Sequence, residues 1–162
     1  MALRVGEPAP EFILPDERGE LHSLSGYRGR WLVLYFYPRD NTPRCTRQAC
    51  RFRDGLARFE QLGAGVVGVS LDAARRHRAF RDRHRLNFPL LTDRHGAVAR
   101  AFGAMFQLGP LRFARRHTFL IDPTGRVARI YRHVVPEQHC ADLIADLEML
   151  AVDADGRERP GR

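Results

Sequence analysis

Residues 31–62 read WLVLYFYPRDNTPRCTRQACRFRDGLARFEQL, and the fold turns on them. The first seven are apolar on both faces of a would-be strand, which marks the interior of a sheet covered on both sides. From about Thr46 to Leu62 the apolar positions Ala49, Phe52, Leu56 and Phe59 recur at helical spacing. GVVGVSL (65–71) follows as a second buried strand. Two buried strands joined through a helix make a parallel crossover, which is right-handed. In such sheets ligands gather at the carboxyl ends of the strands. The loop at that end of the first strand is PRDNTPRC, which leads directly into Cys45 and then Cys50.

The flanks extend this pattern. FILPDERGELHSL (12–24) reads as a short hairpin around DERGE. Residues 73–85 read as a charged surface helix anchored by Phe80. FPLLTD (88–93) is strand-like, and HGAVARAFG (95–103) is a short helix stopped by glycine. HTFLID (117–122) and RVARIYRHV (126–134) form a hairpin through the turn DPTG. A last helix is expected from Pro136, with Leu143, Ile144, Leu147 and Leu150 on one face. The order is that of a single α/β layer fold with a mixed central sheet flanked by helices. One domain over 1–152 is expected, followed by a polar, flexible tail over 153–162.

Composition narrows the function classes. No apolar run is long enough to cross a bilayer, and the N-terminus has no apolar core of a secretory signal, so a cytoplasmic protein and no membrane partner are expected. The net charge is +8, and all 27 basic residues are arginine. They are scattered among acids and form no nucleic-acid motif, so no nucleic-acid partner is expected. In a reducing compartment, paired cysteines point to catalysis or metal more than to a structural disulfide.

Cys45 falls at a helix start, where free N–H groups and the helix dipole favour a thiolate. Arg44 and Arg47 add cations. The thiolate is the nucleophilic form. Cys45 also continues the apolar stripe, four residues before Ala49, so it faces the protein body, while Cys50 lies off that stripe. Five residues along a helix place two Cα atoms roughly 8 to 9 Å apart. A disulfide needs less than about 7 Å. A Cys45–Cys50 bond therefore requires the first helical turns to unwind. Inert core cysteines, a metal site and a thioredoxin-type dithiol are the rival readings. The prolines and arginines argue against the first; the four-residue gap between the cysteines argues against the other two.

The segment YFYPRDNTPRCTRQACRFRD (35–54) resembles the active-site segment of peroxiredoxins of the bacterioferritin-comigratory, or Q, subfamily. The pattern Pro, three residues, Thr, two residues, Cys is met by Pro38, Thr42 and Cys45. GEPAPEFILPDERGE, VVGVSLD (66–72), NFPLLTD (87–93) and RHTFLIDPTGRV (116–127) agree in the right order, so the resemblance spans about residues 5 to 150. It implies a thioredoxin-like fold and a thiol peroxidase that needs no metal, haem, flavin or other cofactor. By the same resemblance Cys45 is the peroxidatic cysteine, Thr42 the hydroxyl that bonds thiolate and peroxide, and Pro38 the shield of the cysteine. Arg116 is the distant arginine, with Arg115 on the other face. Cys50 is the resolving cysteine, which attacks a Cys45 sulfenic acid; thioredoxin or a similar dithiol restores the thiols. Hydrogen peroxide and organic hydroperoxides are the implied substrates, and a monomer or weak dimer the implied state.

Some residues depart from that pattern. Arg44 stands where the subfamily has glycine; it adds a cation beside the thiol, narrows the entrance, or is solvated. Leu71 replaces a proline. Cys140, three residues before Leu143, reads as a small core residue, with a second resolving thiol as the alternative. His139 reads as surface, and His117 as a neighbour of the pocket. A peroxide-responsive redox sensor or a thiol-disulfide oxidoreductase on the same fold are the competing functions, because both need a reactive thiolate.

Overall fold

The computed structural model describes residues 2–154. The tail that begins at 153 lies outside them apart from two helical residues. WLVLYF is β3 (Trp31–Phe36), buried at every position and central in a five-stranded sheet. Before it come β1 (Ile13–Pro15) and β2 (Leu21–Ser23), an antiparallel hairpin outside that sheet. After it come α1 (Pro43–Gln61), β4 (Ala64–Ser70), α2 (Ala74–His84), β5 (Leu90–Thr92) and α3 (Ala97–Ala101). The chain ends with β6 (Met105–Leu108), β7 (Leu111–Ala114), β8 (Thr118–Ile121), β9 (Val127–Tyr131) and α4 (His139–Ala154).

The central sheet has the order β5-β4-β3-β8-β9. β3 pairs parallel with β4, Trp31 opposite Ala64, and β4 pairs parallel with β5. β8 lies antiparallel on the other side of β3, Tyr35 opposite Thr118. The expected crossover through α1 and the expected hairpin β8–β9 are both present, and the sheet is mixed.

Alternation along β3 divides the core. Trp31, Val33, Tyr35 and Tyr37 face α1, α2 and α4 in a cluster that includes Phe52, Phe59, Phe80, Leu143 and Leu147. Leu32, Leu34 and Phe36 face the other side, with Phe12, Ala99, Phe102, Ala114 and Phe119. At about 25 cal/mol per Å² of buried apolar surface, the aromatic residues of the first cluster hold α1 on the sheet far more strongly than its intrinsic helicity does.

Two boundaries and one hairpin differ from the sequence reading. α1 begins at Pro43 and not near Thr46, because proline is well suited to the first helical position and Thr42 supplies the cap residue. α4 begins at His139, three residues after Pro136; the Val135 carbonyl first accepts the N–H groups of Gln138 and His139 in a tight turn. Residues 104–116, read without an element, carry the hairpin β6–β7. It turns at Gly109 in the left-handed region and is held by Phe106 stacked on Phe113 at 4.7 Å between ring centres.

Candidate active site

Both thiols stand on α1, at the carboxyl end of β3. Cys45 is the third helical residue and is buried. The Thr42 carbonyl accepts the first helical bond, from Thr46 N–H at 2.8 Å. The N–H groups of Arg44 and Cys45 therefore have no partner inside the helix, and the positive end of α1 lies at the sulfur.

Arg116 comes to the same sulfur from the bend just before β8, the strand on the other side of β3. Its Nη2 donates to Cys45 Sγ at 3.3 Å, and its Nη1 donates to Gln48 Oε1 at 2.7 Å. Gln48 is buried, and its Nε2 has no hydrogen-bond partner. The β3–β8 register, with Tyr35 opposite Thr118, places the residues just before Thr118 beside the loop after β3. Arg115 lies instead over the Phe106 ring, 5.2 Å from its centre. Thus Cys45 and Arg116 are brought together, and Gln48 joins them. The sequence reading passed over Gln48, although its position three residues after Cys45 puts it on the same helical face.

An open cleft of about 460 Å³ borders this group, lined by Pro38, Arg44, Arg116, His117, Val134 and Val135 among others. Arg115 and Arg132 also line it, so its field is strongly positive. Burial, then Arg132, Arg115 and His133, push His117 down to about 4, so its ring is neutral at pH 7. Pro38 is half-buried at the cleft wall. The Thr42 hydroxyl, expected on the thiolate, donates to the Arg39 carbonyl at 3.0 Å.

The other two cysteines differ from Cys45. Cys50 is half-buried, and all three thiols are free. With Cys45 and Cys50 both inside the continuous helix Pro43–Gln61, the helical separation stands as a barrier to their bond. Cys140 is buried in the core, its Sγ 3.5 Å from the Arg51 carbonyl, and burial pushes its thiol up to about 11. It lies in the core, as the core reading expects, packed against the helix that carries the other two.

His139 is not on the surface. It is 3% exposed, bonded to Thr118 Oγ1 at 2.8 Å, with its ring edge-on to Phe52 and Tyr131. Burial pushes it down to about 4. Its position four residues before Leu143 and eight before Leu147 puts it on the buried stripe of α4, a signal the expected helix from Pro136 already contained. His77 escapes the sequence reading too, although the helix over 73–85 is expected: it lies three residues before Phe80 on the buried side of α2 and bonds to Asp40.

Known proteins fit this geometry. Residues 5–130 match the AhpC/TSA family. Peroxiredoxin Bcp of Bacillus subtilis is 39% identical over 91% of this chain and 97% of its own length. The crystal structure of a PrxQ cysteine variant from Xylella fastidiosa superposes with a TM-score of 0.87 at 31% identity, covering 93% of this chain and 99% of that one. A Xanthomonas campestris bacterioferritin comigratory protein, solved in a study of its alkyl peroxide reduction, superposes with a TM-score of 0.84 at 31% identity, covering 92% and 98%. The fold these share with the chain is thioredoxin-like.

Proposed function

The chain belongs to the AhpC/TSA family, in its Bcp and peroxiredoxin Q branch, and is a thiol-dependent peroxidase; from that premise we propose that Cys45 is the thiol the peroxide oxidises. The observation that carries this is the contact of Arg116 with Cys45 Sγ, at a helix start that opens beside a basic cleft.

The Cys45 thiolate attacks one peroxide oxygen. An S–O bond forms, the O–O bond breaks, and the departing oxygen leaves as water or an alcohol after taking a proton. Charge that builds on that oxygen is met by the Arg116 guanidinium and the free N–H groups of Arg44 and Cys45. The Thr42 hydroxyl turns from the Arg39 carbonyl to the peroxide. Gln48 holds Arg116 in place, and Pro38 keeps bulk water from the sulfur. The first turns of α1 then unwind, Cys50 attacks the Cys45 sulfenic acid, and the S–O bond is replaced by an S–S bond with release of water. A dithiol, thioredoxin or a similar protein, restores both thiols by exchange. No step draws on a metal or organic cofactor.

Hydrogen peroxide and organic hydroperoxides are the substrates in this reading; the Xanthomonas relative is described by its alkyl peroxide reduction. The enzyme acts as one domain over 1–152, as a monomer or weak dimer in the cytoplasm. Among the described residues no helix is long and apolar enough to cross a membrane. Replacing Cys45 with serine tests the reading: peroxide consumption with a thiol donor should cease. Full activity in Cys45→Ser would refute it, and stoichiometric consumption without turnover in the parent would favour a sensor.

A further inference from the structure

Between Tyr37, which follows β3, and α1 runs the loop 38–42, which ends on the cap residue of the helix that carries Cys45. Its only residue that is almost fully enclosed is Asp40, 1% exposed. The carboxylate is held from two directions. Tyr37 O–H donates to Oδ1 at 2.6 Å, and His77 Nδ1 meets Oδ2 at 2.7 Å, with the Asp40 and His77 side chains both fully buried. His77 Nε2 meets the Leu91 carbonyl at 3.1 Å. The Asp40 backbone N–H donates to Asp72 Oδ2 at 2.8 Å, and that oxygen also accepts the Ser70 hydroxyl at 2.8 Å. One aspartate thus ties the loop to the end of β3, to α2, to β5 and to the turn after β4.

The proton count is fixed by the partners. A carbonyl only accepts, so His77 Nε2 carries hydrogen. One further hydrogen occupies the Nδ1–Oδ2 contact, whichever atom holds it, and the pair is neutral overall. The ligand atoms of Asp40, Asp72 and His77 lie within 4.8 Å of one another, which raises the question of a cation. Each of these residues is already committed: Asp72 also pairs with Arg76 at 3.1 Å, and both His77 nitrogens and both Asp40 oxygens have partners. The cluster is a closed clamp of hydrogen bonds.

The clamp stands immediately before the reactive groups. Asn41, next to Asp40, takes the left-handed conformation at φ 65°, which asparagine tolerates better than most residues with a side chain and which turns the chain sharply into Thr42. Thr42, Pro43, Arg44 and Cys45 follow without a break. We propose that Asp40, held by His77 and Tyr37, is a positioning residue for the peroxide step: it sets where Thr42 and the free N–H groups of α1 stand around the Cys45 sulfur. The inference rests on Cys45 being the oxidised thiol. A displacement of about 1 Å at such groups can cost as much as about 10²-fold in rate.

The test compares two reactions of Cys45 in the reduced full-length protein: oxidation by hydrogen peroxide and alkylation by iodoacetamide, both followed by peptide mass spectrometry. Alkylation needs a thiolate but not the groups that receive the peroxide. Asp40→Ala should slow oxidation about tenfold or more while alkylation changes less than about threefold. Asp40→Asn should restore oxidation to within about threefold of the parent, because its amide can donate to His77 Nδ1 and accept from Tyr37 without changing the net charge. Folded Asp40→Ala that is oxidised at the parent rate overturns the proposal. So does Asp40→Asn as slow as Asp40→Ala, because hydrogen bonding would then not be the agent. If Asp40→Ala does not fold, Tyr37→Phe decides: it removes one O–H from the same carboxylate and should slow oxidation about two- to fivefold, and an unchanged rate overturns the proposal. Cys45→Ser run alongside separates the two levels, because persistent peroxide consumption there removes the Cys45 assignment itself.

Discussion

Replacing Arg116 with methionine keeps the length of the side chain and removes its fork of donors. Two bonds go: Nη2 to Cys45 Sγ at 3.3 Å and Nη1 to Gln48 Oε1 at 2.7 Å. Loss of one preorganised donor to developing charge costs about 2.7–4 kcal/mol, or about 10²–10³ in rate. The lower end applies here. Arg116 is only half-buried, and it already contacts the sulfur before reaction, so part of its effect is shared by ground and transition states. A fall of about 10²-fold in the rate of Cys45 oxidation is expected. Gln48 would then hold an unpaired Oε1 beside its unpaired Nε2, for a stability loss of about 1–3 kcal/mol. Arg116→Lys keeps the charge but cannot reach sulfur and amide together, so it should recover no more than about tenfold. Rapid-quench mass spectrometry with a sulfenic-acid trap measures the step directly. A folded Arg116→Met protein oxidised within threefold of the parent would refute the role given to the guanidinium.

Three further outcomes concern stability. Burial holds His139 near 4 in the folded chain against about 6.5 unfolded, so the unfolded chain binds more protons between those values; stability is complete above pH 6.5 and falls toward pH 4, by about 3 kcal/mol, with His117 adding a smaller share. Denaturant melts at pH 7.5 and 4.5 measure this, and an unchanged midpoint would contradict it. Gly55→Ala brings a Cβ within 2.8 Å of Cys140 Sγ, so it should destabilise by about 1 kcal/mol despite the better helix former, whereas in a Cys140→Ala background it should stabilise by a similar amount; additive melts would show that the two positions do not meet. Tyr35 is buried with no partner for its hydroxyl, stacked on Phe52 at 4.5 Å, so Tyr35→Phe should raise stability by about 1 kcal/mol, and a loss of more than that would reveal a hidden partner.

Much of this was legible because local signals agreed. β3 is apolar on both faces and proved central; Cys45, four residues before Ala49, proved buried at the start of α1. Arg116 is singled out by its place in the resembling segment RHTFLID, with alternation setting Arg115 aside; the two side chains do lie apart, Arg116 at Cys45 and Arg115 over Phe106. What escaped was set by tertiary packing. His77 and His139 each sit on a buried helical stripe, but a lone histidine among arginines, or next to the polar pair Glu137 and Gln138, reads as surface. Asp40 looks like an ordinary loop acid until β5 and α2 close over it. The hairpin β6–β7 is short and partly exposed, so its apolar alternation was too weak to announce it.

The most direct test of the two-cysteine cycle is a peptide map after one equivalent of hydrogen peroxide, with free thiols blocked at the quench. A Cys45–Cys50 linked peptide, with Cys140 recovered blocked as a free thiol, is the expected result. A Cys45–Cys140 link, or Cys45 left as an unpaired sulfenic acid, would contradict it and take the resolving role from Cys50.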